Sequence, residues 1–89
     1  MSTFNVLIKK KILKEIKKIP VHVQEKLAVL VDDLREKGPV QSGWPNYSKL
    51  GKDKYHCHLA RKWVACWYYK EQSLIIEVYY AGSRENAPY

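Results

Sequence analysis

Two histidines separated by one residue, His56 and His58, are the side chains whose types and spacing best suit chemistry. The segment around them alternates like a β-strand, so both imidazoles should emerge on one face while the apolar residues between them face a core. Arg61 and Lys62 follow at a predicted turn. Paired imidazoles near cations suit proton transfer on an anionic substrate at neutral pH. The alternative is a surface strand with two solvated histidines.

A second group of residues, Arg84 and Tyr89, follows the predicted last strand. Arginine offers bidentate hydrogen bonds to a phosphate, and an aromatic ring offers a surface on which a base can stack. We expect both imidazoles to share an open, positively charged hollow with the Arg84 guanidinium. The alternative is a frayed terminus without a role.

The charge balance favours a polyanionic partner. Lysine and arginine number 16 against 9 acidic residues, a formal net charge of +7. Nucleic acid is therefore favoured over an acidic protein or a membrane surface. The first predicted helix carries Lys10, Lys14 and Lys18, which form either a phosphate-facing surface or a solvated helix face. No leader pattern or membrane-length apolar run is recognisable, so we predict a cytoplasmic protein without a membrane partner.

The histidine pair and the two cysteines raise the question of a metal or a disulfide. His-x-His on a strand suits a metal because both imidazoles point the same way, but no carboxylate or third histidine lies nearby in sequence. We therefore predict no metal and no cofactor. Cys57 and Cys66 form no CxxC pair, which favours buried free thiols, with a cross-strand disulfide as the alternative.

Hydrophobic periodicity and turn residues predict an α+β fold. With 89 residues, the chain suits one domain over 1–89. The predicted elements are an opening strand, two helices, an ordered loop and three strands, near 4–8, 9–19, 20–37, 40–51, 54–59, 63–70 and 74–80. A turn at 71–73 precedes the last strand, whose Leu74, Ile76 and Val78 share a face, and Gly82 ends the sheet. Both helices should pack on one face of a small, mainly antiparallel four-stranded sheet.

This order of elements resembles the RelE/ParE toxin superfamily, most closely the RelE-type mRNA interferases. The resemblance covers nearly the whole chain and is carried by the lysine-rich first helix ending in Ile19-Pro20, by the strand Lys54–Leu59, and by Val78-Tyr79-Tyr80-Ala81-Gly82-Ser83-Arg84-Glu85. It implies a RelE-like toxin of a type II toxin–antitoxin system. Such a toxin is a ribosome-dependent endoribonuclease that cuts mRNA in the ribosomal A site, contacts ribosomal RNA and is held inactive by a cognate antitoxin.

The resemblance also implies roles for individual residues. The family's pair of basic side chains matches His56 and His58, its arginine after the last strand matches Arg84, and its C-terminal aromatic residue matches Tyr89. The family's arginine on the middle strand matches Val64, so either Arg61 or Lys62 supplies that charge or the protein manages without it. We expect RNA contacts at six cations: Lys54, Arg61, Lys62, Lys10, Lys14 and Lys18.

Metal-independent RNA cleavage requires a base for the ribose 2′-OH, an acid for the 5′-oxygen and cations for the phosphorane. We hypothesise that one of His56 and His58 is the base, that the other or Tyr89 is the acid, and that Arg84 stabilises the transition state. The sequence does not order the two histidines. The alternatives are a ParE-like gyrase-inhibiting toxin, or an RNA-binding toxin homologue without nuclease activity.

Overall fold

A five-stranded mixed sheet and two helices form the fold of residues 4–70 and 72–89, which are the part of the chain that the computed structural model describes. In chain order the elements are β1 (Asn5–Leu7), α1 (Lys10–Ile16), α2 (Val21–Lys37), β2 (Ser48–Lys49), β3 (Lys54–Ala60), β4 (Trp63–Lys70) and β5 (Ile75–Ser83). The strand order is β1-β5-β4-β3-β2. β1 runs parallel to β5, and the other neighbouring pairs are antiparallel. The predicted α+β class is confirmed.

The number of strands differs from the prediction of four. β2 lies inside the predicted loop 40–51, where Ser48 pairs with His56 and Lys49 with Tyr55. A strand of two residues shows no alternation that a sequence pattern could reveal. Residues 1–3, and residue 71 of the predicted turn, lie outside the described residues.

The last strand also differs from the prediction, because it continues through Gly82 instead of ending there. Gly82 pairs with Val64, and a Cβ atom on Gly82 would lie 2.9 Å from the Tyr80 hydroxyl. The glycine therefore allows a close approach of that phenol, and does not release the chain from the sheet. Leu74 was wrongly placed in the strand: it has a φ of 56° in the preceding turn and is exposed.

A β-bulge in β5 changes which of its residues face the core. Cys66 pairs with Tyr80 and Trp67 with Val78, so Tyr79 is the extra residue. Ile76 and Val78 face the core as predicted, but after the bulge Ala81 joins them. Both Tyr79 and Tyr80 are thereby kept out of the buried core cluster.

The hydrophobic core lies between the helices and one face of the sheet. α2 contributes five buried side chains at helical spacing: Val23, Leu27, Leu30, Val31 and Leu34. Trp67 is fully buried beneath them, and its indole N–H donates a 3.0 Å hydrogen bond to the Pro39 carbonyl. The opposite face of the sheet, which carries His56 and His58, is called the outer face below. Neither α1 nor α2 is long and apolar enough to cross a membrane in the described part of the chain.

The segment between α2 and β2 is ordered, as predicted, because its side chains bind the body of the protein. The Trp44 indole N–H donates to an Asp33 carboxylate oxygen at 2.9 Å, and the Gln41 amide donates to the carbonyls of Gly38 and Asp33. The Tyr47 ring stacks on that of Tyr55, with centroids 6.3 Å apart. These contacts hold the segment in a defined position beside β3.

Gly38→Ala should destabilise the fold, because Gly38 ends α2 with a φ of 89° and its Cβ position lies 2.7 Å from Phe4 Cζ. We expect the free energy of unfolding to fall by about 1–3 kcal/mol, from left-handed strain together with the clash. Urea denaturation followed by tryptophan fluorescence measures it. Gly43→Ala is the matched control, since nothing lies within 4 Å of its Cβ position. Equal denaturation midpoints for the two variants would contradict this explanation.

Candidate active site

The alternation of β3 places the two imidazoles together. Tyr55, Cys57 and Leu59 belong to the core cluster, whereas His56 and His58 lie on the outer face with ring centroids 5.9 Å apart. β3 is flanked by β2 and β4, so it is not an edge strand. The pair is therefore held on a rigid element, as the sequence pattern predicts.

His56 is covered, and the expectation that both imidazoles line an open hollow is wrong for this residue. It is only 8% exposed, because the Tyr89 ring lies over it with centroids 4.5 Å apart. The Ser48 hydroxyl lies 2.9 Å from His56 Nδ1. The C-terminal segment folds back across the sheet to form this cover, which a strand pattern alone could not predict.

His58 is half-buried and lines a hollow on the outer face. Its Nδ1 lies 3.2 Å from the Asn46 side-chain nitrogen, and its main-chain N–H donates to the Pro45 carbonyl at 2.8 Å. Burial, followed by the charges of His56 and Arg84, lowers the pKa of His58 below its ordinary value. The imidazole is therefore neutral at pH 7 and becomes charged only in more acidic solution.

The hollow beside His58 has a volume of about 340 Å³, and two arginines, Arg61 and Arg84, are among the residues that line it. The main-chain N–H of Arg84 donates to the Lys62 carbonyl at 2.8 Å, which ties the start of the C-terminal segment to the β3–β4 turn. Val64 is fully buried opposite His58 and brings no charge. Of the two turn cations, Arg61 is the one whose residue lines this hollow.

Tyr89 reaches the same region from the end of the chain. Burial raises the pKa of its phenol, the neighbouring Cys66 raises it further, the Arg84 charge lowers it, and Tyr80 raises it. The phenol is therefore protonated at neutral pH. The segment before Tyr89 makes a turn in which the Asn86 N–H donates to the Ser83 hydroxyl and the Ala87 N–H to the Arg84 carbonyl. This part of the chain is packed, and the alternative of a frayed terminus is wrong.

The remaining predicted RNA-binding cations lie outside the hollow. Lys54 is on the outer face at the far end of β3, next to Tyr68, Glu77 and Tyr79. Lys10 and Lys14 lie on α1 and are exposed. Lys18 lies beyond the end of α1, where it forms a 3.5 Å ion pair with Glu15.

Sequence reasoning missed two polar residues that contact the histidines, Asn46 and Ser48. They precede their partners by 12 and 8 positions, so neither strand nor helix periodicity links them. The available signal in the sequence was Pro45-Asn46, a pair typical of turns, and Asn46 indeed has a φ of 52°, a conformation that asparagine tolerates better than most residues.

The two cysteines lie on opposite faces of the sheet. Cys57 belongs to the core cluster, whereas Cys66 pairs with His56 on the outer face, and both are buried free thiols. Burial raises the pKa of each thiol to about 12, so both are protonated. Within residues 4–70 and 72–89, no three or more His, Cys, Asp or Glu residues form a group that could hold a metal ion.

Solved structures share this architecture over nearly the whole chain. A chain of the archaeal RelE–RelB complex from Pyrococcus horikoshii OT3 superposes with a TM-score of 0.75, at 16% identity over 96% of this chain and 99% of that chain. The isolated E. coli RelE toxin also gives 0.75, at 17% identity over 97% of this chain and 89% of that one. The chain has the RelE fold. A chain of the YoeB–YefM complex from Staphylococcus aureus shares it, with a TM-score of 0.71 at 11% identity over 93% of this chain and 99% of that one.

Comparisons at the level of sequence found no match: no protein-family model and no curated protein matches the chain. The predicted resemblance to RelE toxins is confirmed for the fold. Residue identities this low do not transfer functional roles, so the roles of His56, His58, Arg84 and Tyr89 stay predictions.

Proposed function

We propose that the protein is the toxin of a type II toxin–antitoxin system, an endoribonuclease that cuts mRNA in the ribosomal A site without a metal ion. One observation carries the proposal: four side chains come together on the outer face of the sheet, those of His56, His58, Arg84 and Tyr89. Two imidazoles, a phenol and a guanidinium can supply the base, the acid and the positive charge that cleavage by a ribose 2′-OH requires. The likeness to RelE and YoeB structures supports the toxin assignment.

The reaction can be written with these side chains alone. One histidine takes the 2′-OH proton while the 2′-oxygen attacks phosphorus, and the bond from phosphorus to the 5′-oxygen breaks. The 5′-oxygen receives a proton from the other histidine or from Tyr89, leaving a 2′,3′-cyclic phosphate and a 5′-hydroxyl. Arg84 donates to the non-bridging oxygens through a planar, bidentate guanidinium, and Arg61 supplies the second positive charge at the hollow.

The partners of this function are mRNA, ribosomal RNA and a cognate antitoxin, all in the cytoplasm. The net charge of +7 favours fast association with RNA, and exposed cations away from the hollow (Lys54, Lys62, Lys10, Lys14, Lys18) would contact phosphates without reading bases. The RelE–RelB and YoeB–YefM complexes pair two proteins of related fold with RelB and YefM. We propose the same kind of partner here, binding one toxin domain that spans 1–89.

A second candidate function is RNA binding without cleavage. Two observations favour it: Val64 leaves the position opposite His58 on β4 without a cation, and Tyr89 covers His56. Such a homologue would keep the positively charged surface that binds RNA and would lack the cleavage activity.

Primer extension on mRNA from cells that express the wild type and the double variant His56→Gln with His58→Gln tests the proposal. We expect cuts within codons for the wild type and their loss in the double variant, because glutamine cannot exchange a proton. His22→Gln is the matched control, since His22 is exposed near the start of α2. Intact mRNA together with arrested DNA replication would instead indicate gyrase inhibition. Intact mRNA with retained RNA binding would indicate the second candidate.

A further inference from the structure

We propose that Asn46 and Ser48 are positioning residues that give the two histidines different proton arrangements, so that His58 presents an N–H donor and His56 accepts a proton. The catalytic meaning of this inference rests on the proposed function. Its structural content concerns the free protein and can be measured without any substrate.

The contact between Asn46 and His58 determines where the proton of His58 lies. A side-chain amide nitrogen only donates hydrogen bonds, and it lies 3.2 Å from His58 Nδ1. With the Asn46 amide in this orientation Nδ1 accepts, and we infer that the single proton of the neutral ring sits on Nε2. The hydrogen bond from the His58 main-chain N–H to the Pro45 carbonyl, at 2.8 Å, holds this loop against β3 and keeps Asn46 in place.

The surroundings of His58 oppose a second proton on its ring. A proton on Nδ1 would face the Asn46 N–H donor at 3.2 Å, and the ring is surrounded by further cationic or titratable groups. These are His56 on the same strand, Arg61 on the β3–β4 turn, and Arg84 of the C-terminal segment, whose Tyr89 lies against His56. His58 therefore stays neutral and offers Nε2–H to the substrate.

The contact between Ser48 and His56 has the opposite character. A hydroxyl both donates and accepts, so Ser48 Oγ, 2.9 Å from His56 Nδ1, accommodates a proton on that nitrogen. Nε2 is then bare, and when it takes a proton the Nδ1–H bond to Ser48 persists. The pairing of Ser48 with His56 across β2 and β3 holds the two groups in register. His56 can therefore gain and lose a proton without breaking its hydrogen bond.

These arrangements order the two histidines in the proposed reaction. His56 takes the 2′-OH proton at Nε2, and His58 donates Nε2–H to a non-bridging oxygen beside the Arg84 guanidinium. Neutral imidazole is too weak an acid to give up its only proton, so the 5′-oxygen takes its proton from the Tyr89 phenol. After the bond breaks, the imidazolium of His56 and the phenolate of Tyr89 return to their starting states by exchange with water.

Nitrogen-15 NMR of the histidine rings in the free protein tests the assignment, because bare and protonated ring nitrogens have distinct shifts. We expect a bare Nδ1 and a protonated Nε2 on His58 at neutral pH, with exposed His22 as the internal reference. Asn46→Asp keeps a residue that tolerates the φ of 52° and replaces the donor by an acceptor, so the proton should move to Nδ1. Asn46→Gly tolerates the same backbone conformation but removes the amide. In this variant the proton of the neutral His58 ring should be shared between Nδ1 and Nε2, as we expect for the exposed His22.

A protonated Nδ1 on wild-type His58, or an unchanged pattern in Asn46→Asp, overturns the inference.

The cleavage assay adds a second readout: Asn46→Asp should cut about 10²-fold more slowly at neutral pH, because the proton arrangement of His58 is wrong. The loss should become smaller at lower pH, because the carboxylate favours the charged imidazole, in which Nε2 again carries a proton. Ser48→Ala should also lose activity and Ser48→Thr should retain it. The expected NMR pattern combined with full cleavage by a folded His56→Gln protein would overturn the proposed function and leave the proton assignment intact.

Discussion

We expect His56→Gln to lower the rate of the proposed mRNA cleavage on ribosomes by about 10²–10⁴-fold, which is what one well-placed proton transfer contributes. Glutamine can keep a hydrogen bond to Ser48 but cannot accept the 2′-OH proton. Single-turnover cleavage of a defined mRNA at saturating ribosome concentration measures the chemical step apart from binding. Ribosome binding should change little, because His56 is only 8% exposed and lies beneath Tyr89.

The same burial makes a folding control necessary for His56→Gln. Thermal unfolding of the variant must stay close to that of the wild type, and His22→Gln supplies the matched substitution at an exposed site. A folded His56→Gln protein that cleaves at the wild-type rate would remove His56 from the reaction and, with it, the assignment of the base. Under the proposed function, the cover over His56 requires the Tyr89 ring to move aside before a ribose can reach this imidazole.

We expect Arg84→Ala to lower the proposed cleavage rate by about 10²–10³-fold, comparable to losing one preorganised donor for a developing negative charge. Arg84 is exposed, yet its main-chain bond to Lys62 positions it at the hollow that His58 lines. Arg84→Lys should fall between the wild type and alanine, because lysine keeps the charge but not the planar, bidentate geometry. The same single-turnover assay ranks the three proteins.

Arg35→Ala separates this local effect from a general loss of positive charge. Arg35 lies in the last turn of α2 and forms a 3.1 Å ion pair with Asp32, away from the hollow. The variant has the same net charge as Arg84→Ala and should cleave nearly as fast as the wild type. Equal losses in both variants would show that Arg84 acts only through the overall charge.

The sequence alone determined the features that follow a local period. The two-residue repeat of β3 placed both imidazoles on one face, because successive side chains of a strand point to opposite sides. The helical spacing of α2, with Gly38 and Pro39 after it, predicted a helix that ends at Lys37. Each of these conclusions depends on neighbouring residues only.

The tertiary structure decided the rest of the site, since those contacts join residues far apart in the chain. Asn46 and Ser48 reach the histidines only because β2 pairs with β3, and Tyr89 covers His56 only because the C-terminal segment folds back. The bulge at Tyr79 changes which residues of β5 face the core. Register and chain reversal are set by the packing of the whole sheet, and local hydrophobic patterns do not encode that packing.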